Sequence, residues 1–85
     1  MEATVQKADV RNPRTHRHDA DHYIAARTRE RRMMLGLTQQ DLAELVGTTY
    51  QQMHKYEKGI NRISAGRLYV LARALGVDVG YFYQA

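Results

Sequence analysis

The sequence predicts an all-α domain of five short helices. Apolar residues recur three and four positions apart in several segments, which is the period of a helix with one buried face. Serine, threonine or aspartate stands where these segments begin, and glycine stands where they end, as is typical of helix caps. No strand is predicted, and the sequence contains no internal repeat.

Composition limits the possible classes. The chain has 85 residues, a formal charge of +4 and no cysteine. This length suits one small domain of modest stability, and the absence of cysteine excludes disulfides and thiolate metal sites. No apolar run approaches the ~18 residues of a membrane span, so we expect a cytoplasmic protein that does not contact membranes. The positive charge suits a polyanionic partner, but a merely soluble basic surface explains it equally well.

Residues 1–18 are predicted to form a flexible basic arm, and residues 19–85 the domain. The arm has few large apolar residues and contains the only proline, Pro13. Several histidines and aspartates at its end could suggest a metal site, but no third ligand is fixed nearby, so no metal or other cofactor is expected. These residues are His16, His18, Asp19, Asp21 and His22.

The first helix is predicted from about His22 to Leu35, with Asp19 or Asp21 as its cap and Gly36 after its end. Ile24, Thr28 and Leu35 share one face with Arg32. A charge on a buried face needs a partner, and Glu57 is the acid we pair with Arg32. Arg27, Arg29 and Arg31 are expected on the solvated face, with Arg31 the one best placed to reach a phosphate.

The second helix begins at Gln39, where Thr38 and Asp41 have the spacing of a capping box. Gly47 ends it. Its predicted apolar face consists of Leu42, Leu45 and Val46.

The third helix begins after only a tight turn. Thr49 is its predicted cap, Gln52 the capping-box partner of Thr49, and Gly59 its end. Met53 and Tyr56 form its apolar face. Two short helices that cross so tightly need a small residue at their contact, and Ala43 is placed to be that residue.

The fourth helix is capped by Ser64 and ended by Gly76. Asp78 is then expected to cap a short fifth helix in which Val77 packs against Phe82. The buried face of the fourth helix is predicted to contain Leu68, Leu71, Ala72 and Leu75.

The run LTQQDLAELVGTTYQQMHKYEKG resembles the helix-turn-helix of the lambdoid phage repressor and Cro group, the Xre-like regulators. The resemblance extends from about Asp21 to Tyr83, and the later run NRISAGRLYVLARALGVDVGYFY resembles a stand-alone alphaproteobacterial subgroup. It implies a lambda-repressor-like fold and a sequence-specific transcriptional regulator of the repressor type. The residues that match the motif are Gln39, Leu42, Ala43, Val46, Gly47, Met53 and Tyr56.

The resemblance also implies a DNA-binding surface. The helix from about Tyr50 to Lys58 would enter the major groove, because that groove accepts one α-helix. With Met53 and Tyr56 in the core, the candidate base-contacting residues are Tyr50, Gln51, Gln52, His54 and Lys55. The candidate backbone-contacting residues are Gln39, Thr48, Thr49, Lys58, Asn61 and Arg62. Plain helix capping remains an alternative for Gln39 and Thr48, and solvated surface charge for Lys58 and Arg62.

A lone domain of this size contacts few base pairs, so we expect a homodimer on a pseudo-palindromic operator. The predicted pairing surface combines Ile60 to Ile63 with Tyr81, Phe82 and Tyr83, although Tyr81 and Phe82 could instead close the monomer core.

An antitoxin that also binds a toxin protein is the alternative function. An enzyme is not expected, because Ser64 is the only serine and such a small domain leaves little room for a cleft. No small-molecule effector is expected.

Overall fold

The computed structural model describes residues 13–84, and the side chains of residues 20–84. Its four α-helices are α1 (Pro13–Met34), α2 (Gln39–Val46), α3 (Tyr50–Glu57) and α4 (Ala65–Leu75), and a 3₁₀ helix (Val79–Tyr83) follows. Residues 13–84 contain no strand, which confirms the all-α class. The fifth element is therefore a 3₁₀ helix. Within this range, no helix is both long enough and apolar enough to cross a membrane.

One hydrophobic core joins all five elements. Helix α2 packs against α3 and α4, and α1 packs against α3, α4 and the 3₁₀ helix. Ala43 is completely buried, as the close crossing of α2 and α3 requires. The core contains Ile24, Leu42, Ala43, Val46, Met53, Leu68, Leu71, Ala72, Leu75 and Phe82.

Helix α1 begins well before the predicted His22. It starts at Pro13, so residues 13–18, which we had assigned to the arm, are helical. Proline suits the first position of a helix, because the N–H that it lacks would have no partner there. Asp19 and Asp21 lie inside α1, and neither can cap it. The remaining part of the predicted arm, residues 1–12, lies outside the described residues.

The predicted caps of the three following helices are present. The Thr38 hydroxyl accepts the Asp41 N–H at 3.0 Å, and an Asp41 carboxylate oxygen accepts the Thr38 N–H at 2.9 Å. Ser64 and Thr49 each accept one backbone N–H, but the reciprocal bond from Gln52 is missing, so only half of that capping box forms. Asp78 occupies the predicted cap position of the 3₁₀ helix, but its side chain makes no capping hydrogen bond.

Two leucines predicted to be buried are exposed. Leu45 is 59% exposed, because the buried stripe of α2 is formed by Leu42, Ala43 and Val46 and Leu45 stands beside it. Leu35 is 43% exposed, because α1 ends one residue earlier and Leu35 lies in the turn. Thr28 is fully buried, and its hydroxyl donates to the Ile24 carbonyl at 2.7 Å, so its polar atom is satisfied.

Three arginines bind backbone carbonyls at the ends of other elements. Arg31 Nε donates to the Leu75 carbonyl at 2.9 Å, and Arg67 donates to the Val46 carbonyl. Arg27 Nε donates to the Gln84 carbonyl at 3.2 Å. Cations are favourable at the C-terminal ends of helices. The expectation that Arg27 and Arg31 face solvent was therefore wrong, and Arg29 is the exposed one of the three predicted there.

Candidate nucleic-acid interface

Helix α3 has one buried side and one outward side. Met53 is fully buried and the Glu57 side chain is 1% exposed, whereas Tyr50 is 46% exposed. Gln51 and Lys55 are also exposed, and Gln52 and His54 are half-buried. The five candidate base-contacting residues are thus on a helix whose opposite side is fixed in the core, and at least three of them are accessible to a partner.

A buried ion pair ties α3 to α1. Arg32 Nε donates to Glu57 Oε2 at 2.7 Å, and Arg32 Nη2 donates to Glu57 Oε1 at 3.0 Å. Arg32 Nη1 also donates to the Leu37 carbonyl at 2.7 Å. The predicted pair is therefore present with bidentate geometry, which fixes direction as well as distance.

The same carboxylate connects α3 to the start of α2. Gln39 Nε2 donates to Glu57 Oε1 at 3.0 Å. Gln39 Oε1 lies 3.4 Å from Nδ1 of His54, and the His54 ring stacks with the Tyr50 ring at a centroid distance of 6.2 Å. The structure thus brings Gln39, Tyr50 and His54, all singled out from the sequence, into one connected group.

The candidate backbone-contacting residues are spread over the turn and the α3–α4 connection. Thr49 is exposed and Thr48 half-buried in the turn, where Gly47 has a positive φ of 75° that favours glycine. Lys58 and Asn61 are exposed. Arg62 is exposed as well, but its Nε donates to Asp21 Oδ2 at 3.2 Å, an interaction that the sequence did not predict.

The predicted pairing surface is only partly available. Phe82 is fully buried, so it closes the monomer core. Tyr81 is half-buried, and the guanidinium of Arg27 lies 4.7 Å from the centre of its ring. Ile60 and Tyr83 are exposed, whereas Ile63 packs against the core.

Arg67 is a structural residue that the sequence reasoning missed, although a signal was present. It lies in the first turn of α4, where a cation opposes the helix dipole. That mismatch indicates a second role, which is the bond to the C-terminal end of α2. The pairing of Asp21 with Arg62 had no such local signal, since 41 positions separate the two residues.

The geometry of α2, the Gly47 turn and α3 defines a helix-turn-helix domain. The helix-turn-helix family model matches residues 29–82, which is most of the chain. The chain belongs to the Cro/C1-type, Xre-like helix-turn-helix family of transcriptional regulators. This family is not a class of enzymes.

Curated relatives support this family. A transcriptional regulator in the ATPase CF(0) region of Rhodospirillum rubrum is 48% identical over 66 residues, covering 78% of this chain and 61% of the relative. The HTH-type transcriptional regulator y4wC of Sinorhizobium fredii is 44% identical over 64 residues, covering 75% of this chain and 45% of the relative. The chain thus spans about half the length of the curated relatives it matches.

Solved structures share the fold. The clp gene regulator ClgR of Corynebacterium glutamicum has a TM-score of 0.70 at 25% identity, over 74% of this chain and 82% of that chain. The restriction-modification controller protein C.AhdI of Aeromonas hydrophila has a TM-score of 0.72 at 27% identity, over 78% of this chain and 96% of that one. Both likenesses confirm the fold class.

Proposed function

We propose that the protein is a sequence-specific repressor that inserts α3 into the major groove of duplex DNA. The observation that carries this proposal is the outward side of α3, where Tyr50, Gln51 and Lys55 are exposed while Met53 and Glu57 anchor the opposite side. The relatives are named as transcriptional regulators, which agrees with it.

The exposed side chains have the chemistry of base readout. A glutamine amide can donate to adenine N7 and accept from adenine N6, and a lysine can donate to guanine O6 and N7. Gln51 is our first choice for the base contact, because it is exposed on the outward side of α3, whereas Gln52 is half-buried. Tyr50 lies beside it and can pack on a thymine methyl group.

The rigid support of α3 matters for specificity. A base contact discriminates only when its donor and acceptor are held in position, and α3 is held by the bidentate Arg32–Glu57 pair and by the buried Met53. The orientation of α3 is therefore fixed before DNA binds. Binding then loses less conformational entropy, because the helix does not have to be ordered.

Phosphate contacts would come from both sides of α3. The N-terminus of α2, at Gln39, presents free N–H groups and a positive dipole end, which suit an anion. Lys58, Asn61 and Arg62 lie in the connection after α3 and are exposed. We propose two copies on a pseudo-palindrome, since one domain contacts few base pairs. The antitoxin alternative stays a prediction, because none of the relatives described above is named for binding a toxin.

The test uses Gln51→Ala. The preferred sequence is first selected from random duplexes, and binding is then measured on that duplex and on unrelated DNA. Loss of the base contact should weaken specific binding by about 1–3 kcal/mol and leave nonspecific binding nearly unchanged.

Lys58→Ala is the contrasting variant, because loss of a phosphate contact should weaken both kinds of binding alike. Equal losses on both duplexes for Gln51→Ala would refute its role in base readout, and failure of the wild type to select any sequence would refute the proposed function.

A further inference from the structure

We propose that the His54 ring presents a hydrogen-bond acceptor to DNA and therefore selects a base with an amino group in the major groove. The cause is a chain of hydrogen bonds that begins at the buried Arg32 and fixes the tautomer of the ring. This inference rests on the proposed function and deepens it, because it names the base-edge chemistry that one residue recognises.

The chain of bonds begins with a group that can only donate. The Arg32 guanidinium has no acceptor, and it binds both oxygens of Glu57 at 2.7 and 3.0 Å. A carboxylate held in this way acts as an acceptor for its other partners. Gln39 Nε2 lies 3.0 Å from Glu57 Oε1, so the amino end of the Gln39 amide must face Glu57.

The orientation of Gln39 determines the proton position on His54. With its nitrogen toward Glu57, the amide places its oxygen 3.4 Å from His54 Nδ1. A carbonyl oxygen only accepts, so a hydrogen bond between these two atoms requires the hydrogen on Nδ1. Such a bond decides the tautomer, because the partner of one ring nitrogen sets the state of the other.

The second ring nitrogen is left as an acceptor. His54 Nε2 makes no hydrogen bond to any residue whose side chain the structure describes, and no side-chain polar atom in that part is both buried and unpaired. Nε2 is thus accessible. The stacked Tyr50 ring, inclined by 30°, restricts the plane in which Nε2 can approach a base.

The four bases differ in how they meet such an acceptor. Adenine N6 and cytosine N4 carry amino hydrogens in the major groove, whereas guanine O6 and N7 and thymine O4 are acceptors. A neutral His54 with hydrogen on Nδ1 therefore pairs with adenine or cytosine and opposes guanine and thymine. The opposite tautomer, which has its hydrogen on Nε2, would instead favour guanine or thymine.

The tautomer can be measured without DNA. Long-range proton–nitrogen NMR spectra in mildly alkaline buffer distinguish hydrogen on Nδ1 from hydrogen on Nε2. The His54 signals are those absent from His54→Gln. We expect hydrogen on Nδ1 in the wild type and a shift toward Nε2 in Gln39→Met, which removes the acceptor.

The matched control is Gln40→Met. Gln40 is the neighbouring glutamine and bonds to Glu44 at 3.0 Å, so its replacement should leave the His54 tautomer unchanged. Hydrogen on Nε2 in the wild type would overturn the proposal, whatever the protein does with DNA.

The second test replaces each base pair of the selected duplex in turn. The position contacted by His54 is the one at which His54→Ala loses discrimination. There we expect adenine or cytosine, with binding reduced about tenfold or more by guanine or thymine. Gln39→Met should lose this preference at that position, while the backbone N–H groups at the start of α2, which we propose as phosphate contacts, remain in place.

The outcomes separate the two claims. Preference for guanine or thymine at that position, or no position that depends on His54, overturns this proposal and leaves the proposed function intact. A protein that selects no sequence refutes the proposed function, and the NMR result then still decides the tautomer.

Discussion

The two halves of the domain are held together by different means. Helices α2 and α3 are bounded by local caps and a glycine turn, with bonds between residues three positions apart such as those of Thr38 and Asp41. The other half, formed by α1, α4 and the 3₁₀ helix, depends on arginine side chains that reach distant carbonyls. Arg31 and Leu75 are 44 positions apart, and Arg27 and Gln84 are 57 apart.

The difference shows why α2 and α3 are specified mainly by local signals, whereas α1, α4 and the 3₁₀ helix, although Ser64 caps α4, also need bonds to distant residues. A cap or a positive φ is encoded within a few residues. An arginine that binds a remote carbonyl looks, in the sequence, like any surface charge. Among the residues whose side chains the structure describes, the Arg32–Glu57 pair is the ion pair that joins α1 directly to α3.

The largest effect is expected for Glu57→Ala. It leaves Arg32, whose side chain is 11% exposed, without its carboxylate, so the free energy of unfolding should fall by about 3 kcal/mol or more. Urea denaturation followed by circular dichroism measures it. The double variant Arg32→Met with Glu57→Leu should lose less stability than the sum of the losses of Arg32→Met and Glu57→Leu measured singly. A loss equal to that sum would show that the two groups are not coupled.

Arg31→Met tests the half that depends on remote bonds. Loss of the bond to the Leu75 carbonyl should lower the free energy of unfolding by about 1–2 kcal/mol, since the donor is charged and the site is partly buried. The control is Arg29→Met on the exposed side of the same helix, which should change stability by less than about 0.5 kcal/mol. Similar losses for both variants would contradict the structural role of Arg31.

Thr38→Ala tests the half that depends on local caps. The loss of its cap should cost about 1 kcal/mol. Asp78→Ala is the natural comparison, because Asp78 occupies a cap position without making a side-chain bond, and it should stay within about 0.5 kcal/mol of the wild type. Thermal unfolding of both variants gives the answer, and equal destabilisation would mean that the Thr38 bonds contribute little.

The smallest expected effect is a change in the stability of the protein at acidic pH. The backbone N–H of Thr38, and then its hydroxyl, lower the pKa of Asp41 below its ordinary value of 3.8. Because the folded-state pKa is the lower one, the stabilisation is fully present above pH 3.8 and is lost as the pH falls through the folded-state pKa. The stability difference between wild type and Asp41→Asn should therefore be constant near neutral pH and shrink in strong acid. A difference that does not change with pH would exclude this contribution.

The sequence predicted the helix-turn-helix well because its signals are local. Thr38, Gly47 and Ser64 occupy the predicted cap positions, and the apolar faces of α3 and α4 point inward as expected. Leu45 was misassigned because periodicity in an eight-residue helix does not determine the exact direction of the core. The predicted start of α1 is wrong because a proline in a polar segment is typical of an arm, whereas Pro13 occupies the first position of a helix.

The candidate site was predicted in part. The sequence predicted which residues lie on the outer side of α3, and it predicted the pairing of Arg32 with Glu57. It did not predict the contacts of Gln39 with Glu57 and His54. Glutamine is compatible with many surroundings, and these two partners lie 18 and 15 positions away in the sequence. The contact between Arg62 and Asp21 was missed for the same reason.

The bonds of Arg27, Arg31 and Arg67 also affect how the protein would respond to ionic strength. These cations are held against carbonyl groups, so the formal charge overstates how many counter-ions the domain can displace from a duplex. If Lys58 and Arg62 contact phosphates as proposed, these two residues would give a slope of log affinity against log salt of about −2 for one domain, and about −4 for two. The slope measured on the selected duplex would therefore distinguish binding by one protomer from binding by two.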